Sequence, residues 1–297
     1  MELCASCIRC LVDRQEERVR QLGTEKDRNE YMRCVARIIA AGGREDSAPV
    51  LVERINEEYQ RIFGSLTDYT EVKREFNTLM LSLEPRLREQ IGGAEDSLHA
   101  AMLYARAANY IDFGMASRIE RETLFSLLEQ AAGDSLDEKV YAGFLRDLER
   151  ARSLVYVTDN CGEIVCDKLA VEELAKRFPG LDITVMVRGR DTLNDATRED
   201  AAQTGMDRTA RIADNGCGVA GTPPGLVSRS AARLLEQADV ILAKGQGNFE
   251  TMHGCGLNIY YSFLCKCDWF QKRFGMEKNR GMFVREQTDV NRNGVGR

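Results

Sequence analysis

The chain has 297 residues, of which 43% are hydrophobic and 30% charged, with a net charge of -6. That balance suits a globular protein with ample material for one large or two ordinary domains. No basic stripe of the kind a phosphate backbone calls for is present, and no apolar run approaches the roughly 20 residues that span a bilayer. These features argue against a nucleic-acid partner, a membrane span or a secretion signal, and set the expectation of a cytoplasmic protein.

The chain opens with Cys4, Cys7 and Cys10 as Cys-x-x-Cys-x-x-Cys, a spacing that brings three thiols onto one side of a helix turn or around a metal. Structural zinc wants four ligands, and the nearest candidates for a partner pair are Cys265 and Cys267. The plain alternative is a set of partly buried helix cysteines with an occasional disulfide. Cys34, Cys161 and Cys166, which sit singly among apolar residues, are read as buried reduced thiols.

Up to about residue 150 the periodicity is helical. Leu11, Val19 and Leu22 mark one amphipathic segment, and Tyr31, Val35, Ile38 and Ile39 mark a second that Gly42 and Gly43 stop. Ser47 and Pro49 suit the N-cap and first turn of a helix carrying Val52, Ile55, Tyr59 and Phe63. Further helices are expected near 69–82, 94–110, 117–132 and 137–151. In the stretch Ala94 to Gly114, Asn109 and Asp112 interrupt a small, apolar helix near its end, either as a helix boundary or as groups facing a site. His99, on the same apolar helix, is expected to be packed.

After residue 150 short apolar runs take over. Strands are expected at Leu154–Thr158, Ile183–Val187, Thr209–Ala213, Asp239–Ala243, Ile259–Leu264 and Met282–Val284, most of them separated by helical patterns such as Ser228–Gln237. Alternation of this kind predicts an α/β fold, a three-layer α/β/α sandwich with a mostly parallel sheet over residues 151–297, joined to an all-helical region over 1–150. The tail from Gln287 is polar and expected to fray.

Three expected strands end in polar clusters, and in a parallel sheet those ends converge on the edge where open α/β folds carry ligands. The first is Asp159-Asn160, with Glu163 and Asp167 following; the second leads through Arg188 and Arg190 to Asn194-Asp195; the third is Lys244 to Glu250, KGQGNFE. Asp159, Asn160 and Asp195 offer two carboxylates and an amide oxygen, hard ligands suited to Mg²⁺ or Mn²⁺. Backbone amides at Asn160 to Glu163 and at Gly245 to Asn248 could cradle an anion, and Lys244 would add a positive charge. Metal, lysine and oriented amides together meet the needs of phosphoryl transfer. No GxxxxGK[ST] is present, and the glycines of Gly216 to Gly225 miss the dinucleotide spacing.

The motifs VTDNCGEIVCDKL, VRGRDTLNDATREDA and ILAKGQGNFETM, with the early cysteines, ARAANYID and Lys266-Cys267-Asp268, resemble the metal-dependent damage-control phosphatases, formerly a domain-of-unknown-function 89 family, in their prokaryotic cysteine-containing branch. The resemblance runs in order over nearly the whole chain. It implies a divalent metal (Mn, Mg, Co or Ni) on Asp159, Asn160 and Asp195, with Glu163 facing the substrate and Lys244 on the transferring phosphate. Gly245 and Asn248 are expected to contact the substrate, a small phosphorylated metabolite such as a sugar phosphate. Two rival readings remain open: a carboxyl methyltransferase using S-adenosylmethionine, for which Asp159 to Gly162 makes a poor glycine-rich turn, and a metal- or redox-binding protein built on Cys4, Cys7 and Cys10. Substrate identity and oligomeric state are not written in the sequence.

Overall fold

Among the described residues seven helices precede the first strand: α1 (Ala5–Val19), α2 (Glu25–Ala41), α3 (Ala48–Phe63), α4 (Thr70–Gly93), α5 (Ser97–Ala107), α6 (Arg121–Ala132) and α7 (Glu138–Leu148). The structure, a computed structural model, describes residues 3–43, 46–110 and 121–286. Asp112, Gly114 and the tail from Gln287 lie outside them.

Local chemistry explains most helix starts. Thr24 and Asp27 exchange side-chain and backbone hydrogen bonds in a capping box ahead of α2, and Asp96 and Asp137 cap α5 and α7 through their carboxylates. Ser47 takes the N-cap position of α3 as expected, but its hydroxyl makes no capping bond, and Pro49 in the first turn does the organising. Helix α4 runs well past the expected end near residue 82, straight through Pro85. Proline there removes one backbone donor, and the burial of Leu83, Leu87 and Ile91 on either side outweighs that loss.

The six strands are β1 (Ser153–Val157), β2 (Asp182–Val187), β3 (Arg211–Asp214), β4 (Val240–Lys244), β5 (Ile259–Leu264) and β6 (Gly281–Arg285). Each falls within one or two residues of its expected place. They form one sheet in the order β3-β2-β1-β4-β5-β6, parallel except for β6, which pairs antiparallel with β5. The crossovers carry α8 (Glu163–Arg177), α9 (Arg198–Thr204), α10 (Arg229–Gln237) and α11 (Gln246–Met252), and α12 (Asp268–Phe274) follows β5.

Side chains alternate across the sheet and divide the core in two. Tyr156, Val185, Leu242 and Tyr260 pack against residues of α4, α5 and α8 such as Leu87, Leu103 and Leu169. Val155, Ile241, Tyr261 and Phe263 pack against Leu235, Phe249 and Phe270 on the other face. Helices α4 to α7 therefore share one apolar cluster with the sheet, whereas α1 to α3 gather a smaller one around Tyr31, Val35 and Ile55. His99 is packed edge-on against Tyr141. Because chain order reverses between β1 and β4, their carboxyl ends flank a crevice at the switch point.

Candidate active site

Strand β1 stops where Asp159 and Asn160 replace its apolar run, and the chain turns into α8 through Gly162 at φ +69°. A side chain at that glycine would strike the Phe76 ring of α4, so the turn needs glycine for both its backbone and its neighbour. The loop after β2 comes back over this turn and is stitched to it by backbone bonds: Cys161 N–H donates to the Asn194 carbonyl (2.7 Å) and Ala196 N–H to that of Asp159 (2.8 Å). Asn160 and Asp195 pair across the join. Two stretches far apart in sequence thus share one place.

Their side chains are heavily engaged on one side only. Asp159 Oδ2 accepts from Asn109 Nδ2 and from Asn160 Nδ2, both at 2.8 Å. Glu163 Oε2 accepts from the same two amides at 2.7 and 3.1 Å. Asp195 Oδ2 accepts from Arg188 Nε at 2.5 Å, and the second guanidinium nitrogen of Arg188 lies 3.7 Å from Asp159 Oδ1. Burial, with the charges of Glu163 and Asp195, pushes the Asp159 carboxyl up to about 7 against the opposing pull of Arg188 and Lys266. Burial likewise raises Asp195, with Arg188 resisting. Negative charge is crowded here beyond what the resident cations balance.

Lys244, the last residue of β4, enters from below. Its ammonium donates to Glu163 Oε1 (2.6 Å), Asp167 Oδ1 (2.8 Å) and the Ala105 carbonyl (2.8 Å), which uses all three of its protons. Gly245 follows at φ +80°, with its Cα so close to Asp159 that a Cβ would stand 2.1 Å from the carboxyl carbon. Asn248 donates to the carbonyls of Thr158 (2.9 Å) and Lys244 (2.6 Å) and accepts from the Thr222 hydroxyl (2.9 Å), so it fastens the two strand ends together. Thr222 comes from the Gly216 to Gly225 loop and also accepts from Arg188 at 3.0 Å.

The structure brings together Asp159, Asn160 and Asp195 at the mouth, and sets Glu163, Lys244 and Asn248 beneath as buried ties. Arg188 is 1% exposed and belongs to the site, whereas Arg190 points to solvent and pairs with Glu53 of α3. Asn109 is no mere helix boundary, since it bonds two of the acids. Sequence reasoning passed over Asn77, which accepts from the Gly162 N–H (2.6 Å) and donates to Asp200 (2.8 Å). A buried amide on the mostly apolar face of α4, one turn after the buried Lys73, was its signal. Lys266, quoted above without a role, is exposed after β5 and near enough to Asp159 to favour its ionised form. Its ammonium makes no hydrogen bond or ion pair among the described residues.

A family profile, the damage-control phosphatase ARMT1-like domain, matches residues 3–281. The chain belongs to this family. A damage-control phosphatase of Archaeoglobus fulgidus is 31% identical over 234 residues, covering 76% of this chain and 78% of that one. Another from Pyrococcus horikoshii is 25% identical over 274 residues, covering 90% and 92%. The crystal structure of a DUF89 family protein from P. horikoshii superposes with a TM-score of 0.82 at 23% identity, over 97% of this chain and all of that one, and shares its fold.

The damage-control phosphatase fold thus places a set of oxygen donors at its switch point, and their chemistry suits a divalent metal. No hydrogen bond among the described residues engages Asp159 Oδ1, Asn160 Oδ1 or Asp195 Oδ1; the bonds above fall on the opposite atoms. Two carboxylates and an amide oxygen are hard donors of the kind Mg²⁺ and Mn²⁺ accept. Among the described residues no three Cys, His, Asp or Glu side chains assemble as a metal group, and here one donor is an amide. No described helix is long and apolar enough to cross a membrane.

Proposed function

We propose that this chain is a metal-dependent phosphatase that hydrolyses a small phosphorylated metabolite in the cytoplasm. The reading rests on one observation above all: the three oxygens of Asp159, Asn160 and Asp195 that accept no hydrogen bond among the described residues, held by two interlocked loops in a region of excess negative charge. Family membership and relatives called damage-control phosphatases support it. Those oxygens would hold a divalent cation (Mn²⁺, Mg²⁺, Co²⁺ or Ni²⁺), whose contribution is to neutralise and polarise a phosphoryl group.

The chain's own residues do the rest. Asn109 and Asn160 fix the Asp159 carboxylate by donating to its far oxygen, so its near oxygen keeps one orientation. Arg188 holds Asp195 in the same way from inside the sheet. Lys244 is spent on Glu163 and Asp167, so the exposed cation offered to the phosphate is Lys266, which lies near enough to Asp159 to act on its charge and whose ammonium has no partner among the described residues. The amides of Gln246 to Asn248 add oriented dipoles, whereas those of Cys161, Gly162, Glu163 and Gly245 are already bonded within the protein and do not form the anion cradle expected at the start of α8. Sugar phosphates are the substrate class to try first.

Purified protein should release phosphate from p-nitrophenyl phosphate and from members of a sugar-phosphate panel only when one of these metals is added. Asp159→Ala and Asp195→Ala should abolish release while the protein stays folded. Full turnover in excess chelator, or in both variants, would refute the reading.

A further inference from the structure

The N-terminal cysteines take no part in the chemistry proposed above. Cys4 stands at the N-cap of α1 in extended backbone (φ -92°, ψ 167°), Cys7 follows one turn later, and their sulfurs are 3.2 Å apart. Cys4 Sγ is also 2.9 Å from the Ser6 hydroxyl. Both thiols are partly exposed, unlike Cys34, Cys161, Cys166, Cys217 and Cys265, which are buried. The contact is therefore reachable by a small molecule, and it is already close to bonding distance.

The two sulfurs are not equivalent. A cysteine at an N-cap faces the unpaired N–H groups of the first turn and the positive end of the helix dipole, both of which favour a thiolate. Partial burial works against ionisation of Cys4, but hydrogen bonds from Ser6 and Cys7 outweigh it and bring the thiol below its ordinary value. At Cys7 burial comes first and Cys4 adds to it, pushing the thiol up to about 12. Cys4 is thus the more easily ionised of the two, and Cys7 holds its proton more firmly. A metal centre is the less apt use of the motif, because among the described residues no three ligating side chains stand together.

We propose that Cys4 and Cys7 form a redox-active dithiol that exchanges with small-molecule disulfides, with Cys4 attacking and Cys7 resolving. The Cys4 thiolate bonds to one sulfur of the incoming disulfide, whose S–S bond breaks and whose other half leaves as thiolate. Cys7 then loses its proton to solvent and attacks the Cys4 sulfur; the Cys4–Cys7 bond forms and the second half leaves. Two protein thiols are oxidised by two electrons, and one disulfide is reduced to two thiols. None of this depends on the phosphatase reading.

The test uses the reduced full-length protein and oxidised glutathione at neutral pH, read by mass spectrometry of digested peptides. A Cys4–Cys7 linkage is expected, with two glutathione molecules released for each one formed. Cys7→Ser should instead retain glutathione on Cys4, and Cys4→Ser should slow the reaction of the motif by about tenfold or more. The Cys4 side chain makes no capping bond to α1, so that variant keeps the helix start. Three outcomes would overturn the proposal: a wild-type rate in Cys4→Ser, glutathione accumulating on Cys10 while Cys4 and Cys7 stay unlinked, or one equivalent of Zn²⁺ held by the reduced chain and lost in Cys4→Ser/Cys7→Ser/Cys10→Ser.

Discussion

Lys244 donates to Glu163 at 2.6 Å in a place where neither side chain keeps more than 2% of its exposure. Burial alone would discharge the ammonium, but Asp167 and Glu163 outweigh it and hold the lysine protonated, well above its ordinary value. The ion pair fixes α8 to the end of β4, and through the Ala105 carbonyl it reaches α5 as well. Lys244→Ala would leave two carboxylates buried without their cation. Breaking a buried pair in this way costs about 3–5 kcal/mol, and urea unfolding in the absence of metal and substrate should show it. A loss below about 1 kcal/mol would mean that Lys244 is free to act on substrate rather than holding the core.

The three oxygens of Asp159, Asn160 and Asp195 that accept no hydrogen bond among the described residues lead to a second expectation. A ligand that binds only the folded state stabilises it by about 2.7 kcal/mol at one hundred times its dissociation constant. Mn²⁺ should therefore raise the unfolding midpoint of the wild-type chain, and Asp159→Asn and Asp195→Asn should each lose most of that rise. An undiminished rise in both would place the metal elsewhere.

Gly245 makes a sharper test of the same geometry. Its φ of +80° disfavours any side chain, and a Cβ would lie 2.1 Å from the Asp159 carboxyl carbon. Gly245→Ala must push Asp159 away from Asn160 and Asp195. A displacement of about 1 Å in a reacting group can cost about a hundredfold in rate, so kcat should fall by that order, with a stability loss of about 1–3 kcal/mol. Turnover within a factor of two of wild type would show that Asp159 need not stay where it is.

The strands were legible because a buried parallel strand is a short apolar run, and polar residues must break it where it leaves the core. Asp159, Asn194-Asp195 and Lys244 are such breaks, which is why the edge carrying the site could be read from sequence. Contacts made across long stretches of chain left no such mark. Asn109 reaches Asp159 fifty residues later, and Asn77 reaches Gly162 from the middle of α4. Nor did the sequence separate the two arginines after β2: Arg188 is inside and Arg190 outside, because side chains two apart on a turn after a strand need not keep the strand's alternation. Helix α4 outruns its expected end near residue 82, because its end is set by packing and not by local propensity.

The far face of the sheet offers a test that the metal site does not touch. Glu286, just after β6, accepts from the Tyr261 hydroxyl (2.7 Å) and the Gly254 N–H, with His253 Nδ1 at 3.3 Å. Burial would raise its carboxyl, but the bonds from His253, Tyr261 and Gly254 outweigh burial and hold it below the usual glutamate range. A carboxyl depressed in the folded state adds stability above its unfolded value, about 4.3, and loses it as pH falls through the folded value. Glu286→Gln should therefore cost about 1–3 kcal/mol at pH 7, where a charge-assisted acceptor becomes a neutral one. As the pH falls through the depressed folded value the wild-type carboxyl takes up its own proton, and the two proteins should converge. Denaturant unfolding of both at a series of pH values measures the gap directly, and a gap that does not change with pH would show that shape, not charge, holds this corner together.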